Sequence, residues 1–199
     1  HQTSWTILVS YFQNKGDSTR AEEEFAHWMG VFPGYQRNRE GLRMLAEGKY
    51  SEALQVFQGV ARENPSFAPA YGNIGTAYFR MNQLDSADAY LSIARGMNPY
   101  NPVVLASYGQ LLWSRNDVEG AVKSWGQALA VDSTQVQAAL GLATYYRQRR
   151  DRDNYFRYMA VAAADGNAPP SVLVELGDYF LSTGQAERGR GYLRQAVAA

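Results

Sequence analysis

The 199-residue chain is 46% apolar and 19% charged, enough apolar side chain for a continuous core and too much for a disordered segment. Its 19 basic residues balance 19 acidic ones, which removes bulk electrostatic attraction to nucleic acid or to an acidic membrane surface. Cysteine is absent, which excludes disulfides, thiol catalysis and sulfur-ligated metal, and no apolar run approaches the ~18 residues of a membrane span.

Residues 1–33 read as a degenerate helical hairpin. Trp5, Leu8, Phe12, Ala21 and Phe25 keep helical spacing and Pro33 closes the segment, but Val9 and Trp28 stand where small residues belong. Glu22, Glu23 and Glu24 fall in the first turns of its second helix, where carboxylates complement the helix dipole. His27, beside Trp28, reads as a surface or packing residue. With His1 as the other histidine, no metal ligand set or acid–base site is expected. The start at His1, without the charged leader of a signal peptide, is expected of a chain cut from a longer protein, processed, or carrying a tag remnant.

From Gly34 onward the chain repeats every 34 residues. A small residue recurs at Gly41, Gly75, Gly109, Ala143 and Gly177, and three positions later a large apolar one at Met44, Tyr78, Leu112, Tyr146 and Phe180. Further on come Ala53, Ala87, Ala121, Tyr155 and Gly189, then Phe57, Leu91, Trp125, Met159 and Leu193. Steps of three and four keep these side chains on one helix face, so each unit predicts two amphipathic helices. Gly48-Lys49, Asn82-Gln83, Asn116-Asp117, Arg150-Asp151 and Gly184-Gln185 supply the turns between them, and Pro65 and Pro99 stop the second helices. A side chain larger than glycine or alanine where two helices cross would cost about 1–3 kcal/mol in overpacking. Tyr155 breaks that rule, and a splayed hairpin is expected there.

The pattern Tyr71, Ile74, Gly75, Tyr78, Ala87, Leu91, Ala94 and Pro99 resembles the tetratricopeptide repeat, a 34-residue helical hairpin. The resemblance implies an all-α, right-handed superhelical solenoid of about six antiparallel hairpins. Its parts would be the degenerate pair over 1–33 and one continuous domain of units 34–67, 68–101, 102–135, 136–169 and 170–199. In that family the first helices of successive units line a concave groove that takes an extended peptide or a partner helix. Carried onto this sequence, the groove would present Asn73, Thr76, Phe79 and Arg80, then Ser107, Gln110 and Trp113, then Leu140, Thr144 and Arg147, and finally Asp178. Phe79 and Trp113 have two open readings, as partner anchors or as packing between units. The related clamp for acidic chaperone tails is incomplete: Asn38 and Asn73 are in place, but Leu42, Val103 and Ser107 replace its other members.

The implied function is a non-catalytic protein-interaction scaffold with a protein or peptide partner, no cofactor and no nucleic acid. The alternatives are a substrate-recruiting domain of a larger enzyme or membrane protein, such as a glycosyltransferase, and a self-associating module. A cytoplasmic setting and the outer side of a bacterial membrane are equally compatible with the sequence. The run Arg147, Arg149, Arg150, Arg152 and Arg157, interleaved with Asp151 and Asp153, reads as a solvated turn with local ion pairs. Gly184–Gly191 lacks the strand and lysine of a phosphate loop. The last helix, with Tyr192, Leu193, Ala196 and Val197, is expected to leave one apolar face for a further helix or another chain to cover.

Overall fold

A computed structural model describes residues 33–198, so the hairpin expected over residues 1–33 lies outside the described residues except for Pro33, which opens the first described helix. Every regular element among the described residues is helical. The helices are α1 (Pro33–Ala46), α2 (Tyr50–Glu63), α3 (Ala68–Arg80), α4 (Leu84–Met97) and α5 (Pro102–Ser114). They continue as α6 (Val118–Val131), α7 (Val136–Gln148), α8 (Arg152–Ala162), α9 (Pro170–Ser182) and α10 (Ala186–Ala198), with one 3-10 turn, Ala163–Asp165. Each odd helix packs mainly on the even helix that follows it, and each hairpin then packs on the next, which makes the fold a solenoid.

The turns close every hairpin in the same way. Gly48, Asn82, Asn116, Arg150 and Gly184 all have positive φ, between 58° and 80°. The next residue's N–H then reaches back to the large apolar column: Lys49 to the Met44 carbonyl at 2.9 Å, Gln83 to Tyr78 at 2.9 Å, Asp117 to Leu112 at 2.9 Å, Asp151 to Tyr146 at 3.0 Å and Gln185 to Phe180 at 2.8 Å. This is the Schellman pattern that satisfies the last free carbonyls of a helix. Arg150 alone of the five is neither glycine nor asparagine, and its Cβ is strained in the left-handed region. Arg150→Gly is therefore expected to raise stability by about 1 kcal/mol and Arg150→Val to lower it, both read from the midpoint of urea unfolding.

The small column brings the paired helices together. A Cβ on Gly41 would lie 2.5 Å from the Phe57 ring, and one on Gly177 would lie 2.6 Å from Leu193 Cγ. Phe57, Leu91 and Ala53 are fully buried, and Trp125 is nearly so, which puts the core along the seam between odd and even helices. The splay expected at Tyr155 is not seen: α7 and α8 pack comparably to the other hairpins. The Tyr155 ring is half-buried and lies edge-on to Phe156 at 4.9 Å.

The departure lies one step later. The second helix of the fourth hairpin stops at Ala162, a 3-10 turn follows, and Gly166 takes φ 81°. Contact between α8 and α9 is thinner than at the earlier junctions. It is held by a stack of Phe156 on Tyr179, with centroids 4.1 Å apart and planes 15° apart, and by the Tyr179 hydroxyl donating to Asp153 at 2.7 Å.

Candidate interaction face

The odd helices form the candidate face. α1 touches α3, α3 touches α5 and α5 touches α7, which gives a continuous surface of first helices from α1 to α7. Two side-chain links cross it. Asn73 Nδ2 donates to Asn38 Oδ1 at 2.9 Å, and Asn38 is buried. Thr76 Oγ1 donates to the Gly72 carbonyl at 3.0 Å and lies 3.2 Å from the Ser107 hydroxyl, which is itself buried. The two asparagines common to the chaperone-tail clamp therefore satisfy each other, as buried polar groups must.

The remaining predicted residues divide in two. Phe79 packs half-buried against the cluster of Leu91 and Leu111, and Trp113 lies tilted on Trp125 with centroids 5.6 Å apart. Gln110 is half-buried, and Thr144 turns its hydroxyl back to the Leu140 carbonyl at 2.9 Å. Arg80, Arg147 and Asp178 are exposed and make no ion pair among the described residues, and Leu140 is 43% exposed. Leu42 on α1 and Val174 on α9, at 42% and 41% exposure, extend the apolar part of the face, although neither is among the contact residues expected from the sequence. Leu42 stands 34 residues before Thr76 and Val174 stands 34 after Leu140, and that register was the available signal.

The arginine run differs from its sequence reading. Arg149, Arg152 and Arg157 lie over the rings of Tyr145, Phe156 and Tyr158 at 4.7, 5.9 and 5.6 Å rather than beside carboxylates. The two aspartates are engaged elsewhere. Asp151 caps α8 through the Asn154 N–H at 3.1 Å, and the bonds from Asn154 hold its carboxyl below the usual range. Asp153 accepts from Tyr179, whose phenol is pushed up by that bond and by burial. By contrast Arg115 reaches back across a junction to Asp88 and to Asp85, the latter at 2.7 Å. Among the described residues no group of His, Asp or Glu is arranged to hold a metal, and no helix is long and apolar enough to cross a membrane.

Comparisons with known proteins agree with this geometry. A tetratricopeptide-repeat family profile matches residues 44–95, which span α2, α3 and most of α4. Among curated proteins the chain is similar to the anaphase-promoting complex subunit CDC16 of Saccharomyces cerevisiae, at 19% identity over 98% of this chain. It spans about a quarter, 24%, of that relative's length. Among solved structures it resembles a chain of the Cut9–Hcn1 hetero-tetramer of the APC/C, with TM-score 0.65 and 16% identity over 98% of this chain and 39% of that one. It also resembles PilF of Pseudomonas aeruginosa, with TM-score 0.62 and 18% identity over 83% and 75% of the two chains. A thermophilic TPR protein of Thermus thermophilus gives TM-score 0.61 and 17% identity over 83% and 90%. With the repeat columns and the hairpin geometry in agreement, the described residues have the fold of a tetratricopeptide-repeat solenoid, and residues 44–95 match the family profile itself.

Proposed function

We propose that this chain is a non-catalytic protein-interaction scaffold whose row of odd helices binds an extended peptide or partner segment, residues 34–199 acting as one continuous repeat domain. Proteins of this family generally mediate contacts between proteins, and two of the relatives named above are described as parts of a multi-protein complex. The observation that carries the reading is the set of unpartnered groups on that face. Arg80 and Arg147 are exposed cations without carboxylate partners among the described residues, and Leu140 is an exposed apolar side chain between them in chain order. Asn73, Thr76 and Ser107 are spent on holding adjacent helices in register, so their part is to position the face. The rims of Phe79 and Trp113 and the Gln110 amide remain available for contact.

Panning a random peptide library against the protein tests this. Enriched peptides are expected to combine an acidic residue with an apolar one, and the double variant Arg80→Glu/Arg147→Glu is expected to weaken them about tenfold or more in fluorescence anisotropy. Peptides that bind both proteins equally would count against the odd-helix face. The chain's quarter share of its curated relative's length favours a second reading, in which the same face recruits partners for a larger protein.

A further inference from the structure

The even helices carry a feature outside the family face. Between α4 and α6 lies an open groove of about 550 Å³ with Leu105 of α5 as its floor, Gly96 and Ala130 along its walls and the Gln127 amide at its side. Tyr100, 74% exposed, stands at its edge. The Asn98 carboxamide accepts the Tyr100 backbone N–H at 3.1 Å and so orders the loop. The charged side chain in its lining is Arg95, half-buried and laid on the Tyr108 ring at 4.1 Å, with no carboxylate or hydrogen-bond acceptor among the described residues.

The same groove recurs two repeats later. Ala164 and Ala198 take the places of Gly96 and Ala130, Leu173 that of Leu105, and Gln195 that of Gln127. Here the arginine comes from the opposite wall: Arg188 lies 3.9 Å above the Phe180 ring and donates from Nη1 to Gln185 Oε1 at 3.4 Å, with no ion pair among the described residues. The recurrence of a leucine floor, small walls, a glutamine and an arginine that rests on an aromatic ring with no carboxylate among the described residues distinguishes these grooves from gaps left by irregular packing.

We propose that these even-helix grooves are a second binding surface, which takes a peptide segment of a partner carrying a carboxylate next to a large apolar side chain. Charge complementarity names the carboxylate. A guanidinium already stacked on a ring keeps its edge N–H groups for a carboxylate, and the apolar surroundings strengthen that pairing. The apolar side chain would fill the space left by Gly96 and Ala130 over Leu105. The openness of the groove and the Gln127 amide suit a peptide backbone, whereas a fatty-acid chain calls for an enclosed apolar cavity.

The test titrates ¹⁵N-labelled protein with the synthetic peptide Glu-Leu-Asp-Phe-Glu-Leu, with its Gln/Asn counterpart, and with decanoate. Amide shifts are expected within 92–100 and 127–131 for the acidic peptide, with affinity at least about tenfold lower for the neutral one. Arg95→Gln is expected to cause a similar loss at this groove. Gly96→Leu supplies a variant that keeps the fold, because a Cβ at Gly96 meets nothing within 4 Å and leucine is the better helix former; it should block the groove. The variant Arg80→Glu/Arg147→Glu should leave these shifts intact, so failure of the odd-helix reading and failure of this one are distinguishable. Shifts confined to the odd helices, binding that survives both groove variants, preference for decanoate, concentration-dependent self-association in place of peptide binding, or no shifts at millimolar peptide would each overturn the proposal.

Discussion

Replacing Trp125 with alanine is expected to destabilise the array by about 3–5 kcal/mol, the range for deleting a buried large aromatic. The indole is 2% exposed and lies between two backbones. A Cβ on Gly109 of α5 would come within 2.5 Å of its Nε1, and a Cβ on Gly141 of α7 within 2.3 Å of its Cε2. Its Nε1 also donates to the Ala106 carbonyl at 3.2 Å. The third hairpin therefore closes on the same ring that docks the fourth, and alanine would remove both contacts at once. Neither backbone can fill the space, since each is fixed within its own helix. Set against a typical total stability of about 5–15 kcal/mol, this loss is large. Urea unfolding followed by far-UV circular dichroism is expected to show a lower midpoint, and a loss under about 1 kcal/mol would refute the role assigned to this ring.

Gly75→Val should have a comparable effect for the opposite reason. A Cβ at position 75 would lie 2.7 Å from Leu91 Cγ and 3.0 Å from the Leu91 backbone nitrogen. Leucine could rotate away from the first contact, but the second is with main chain held in α4. Valine adds two further methyl groups, so α3 and α4 must separate, at a cost of about 3 kcal/mol. The fourth hairpin already holds a natural remedy, with Ala143 at the equivalent position and Met159, a flexible unbranched side chain, opposite it. Gly75→Ala combined with Leu91→Met is accordingly expected to recover part of the loss of Gly75→Ala alone, a coupling that a double-mutant cycle in thermal unfolding measures directly.

These cases show what repeat columns reveal and what they conceal. Gly41, Gly75, Gly109 and Gly177 could be read as helix crossings because the constraint acts within one unit, at a spacing that the sequence repeats. The positive φ of Asn82 and Asn116 was legible for the same reason. Contacts between units were not. That Asn73 would bond Asn38, or that Thr76 would meet Ser107, depends on how far one hairpin rotates on the next, and no single-unit period encodes that angle. The aspartates in the arginine run were misjudged on similar grounds. Proximity in sequence suggested ion pairs, whereas the N-terminus of α8 and the hydroxyl of Tyr179 offered Asp151 and Asp153 stronger geometry. Tyr155 was an anomaly in its column, but the hairpin packs like the others, and how neighbouring side chains accommodate a large residue was beyond sequence reading.

The Phe156–Tyr179 mooring has a thermodynamic consequence. In a linear array stability is close to a sum of unit terms and nearest-neighbour terms, and the neighbour term across the α8–α9 junction rests on a small contact. Cooperativity is transmitted least well where that term is smallest, so α9 and α10 form the segment whose order is most open to external influence. A molecule seated across Ala164 on one side and Arg188 on the other would add its binding free energy directly to that coupling. Occupancy of the second groove would then be felt along the whole row of odd helices as a longer cooperative unit, a link between the two faces that needs no change in the shape of either.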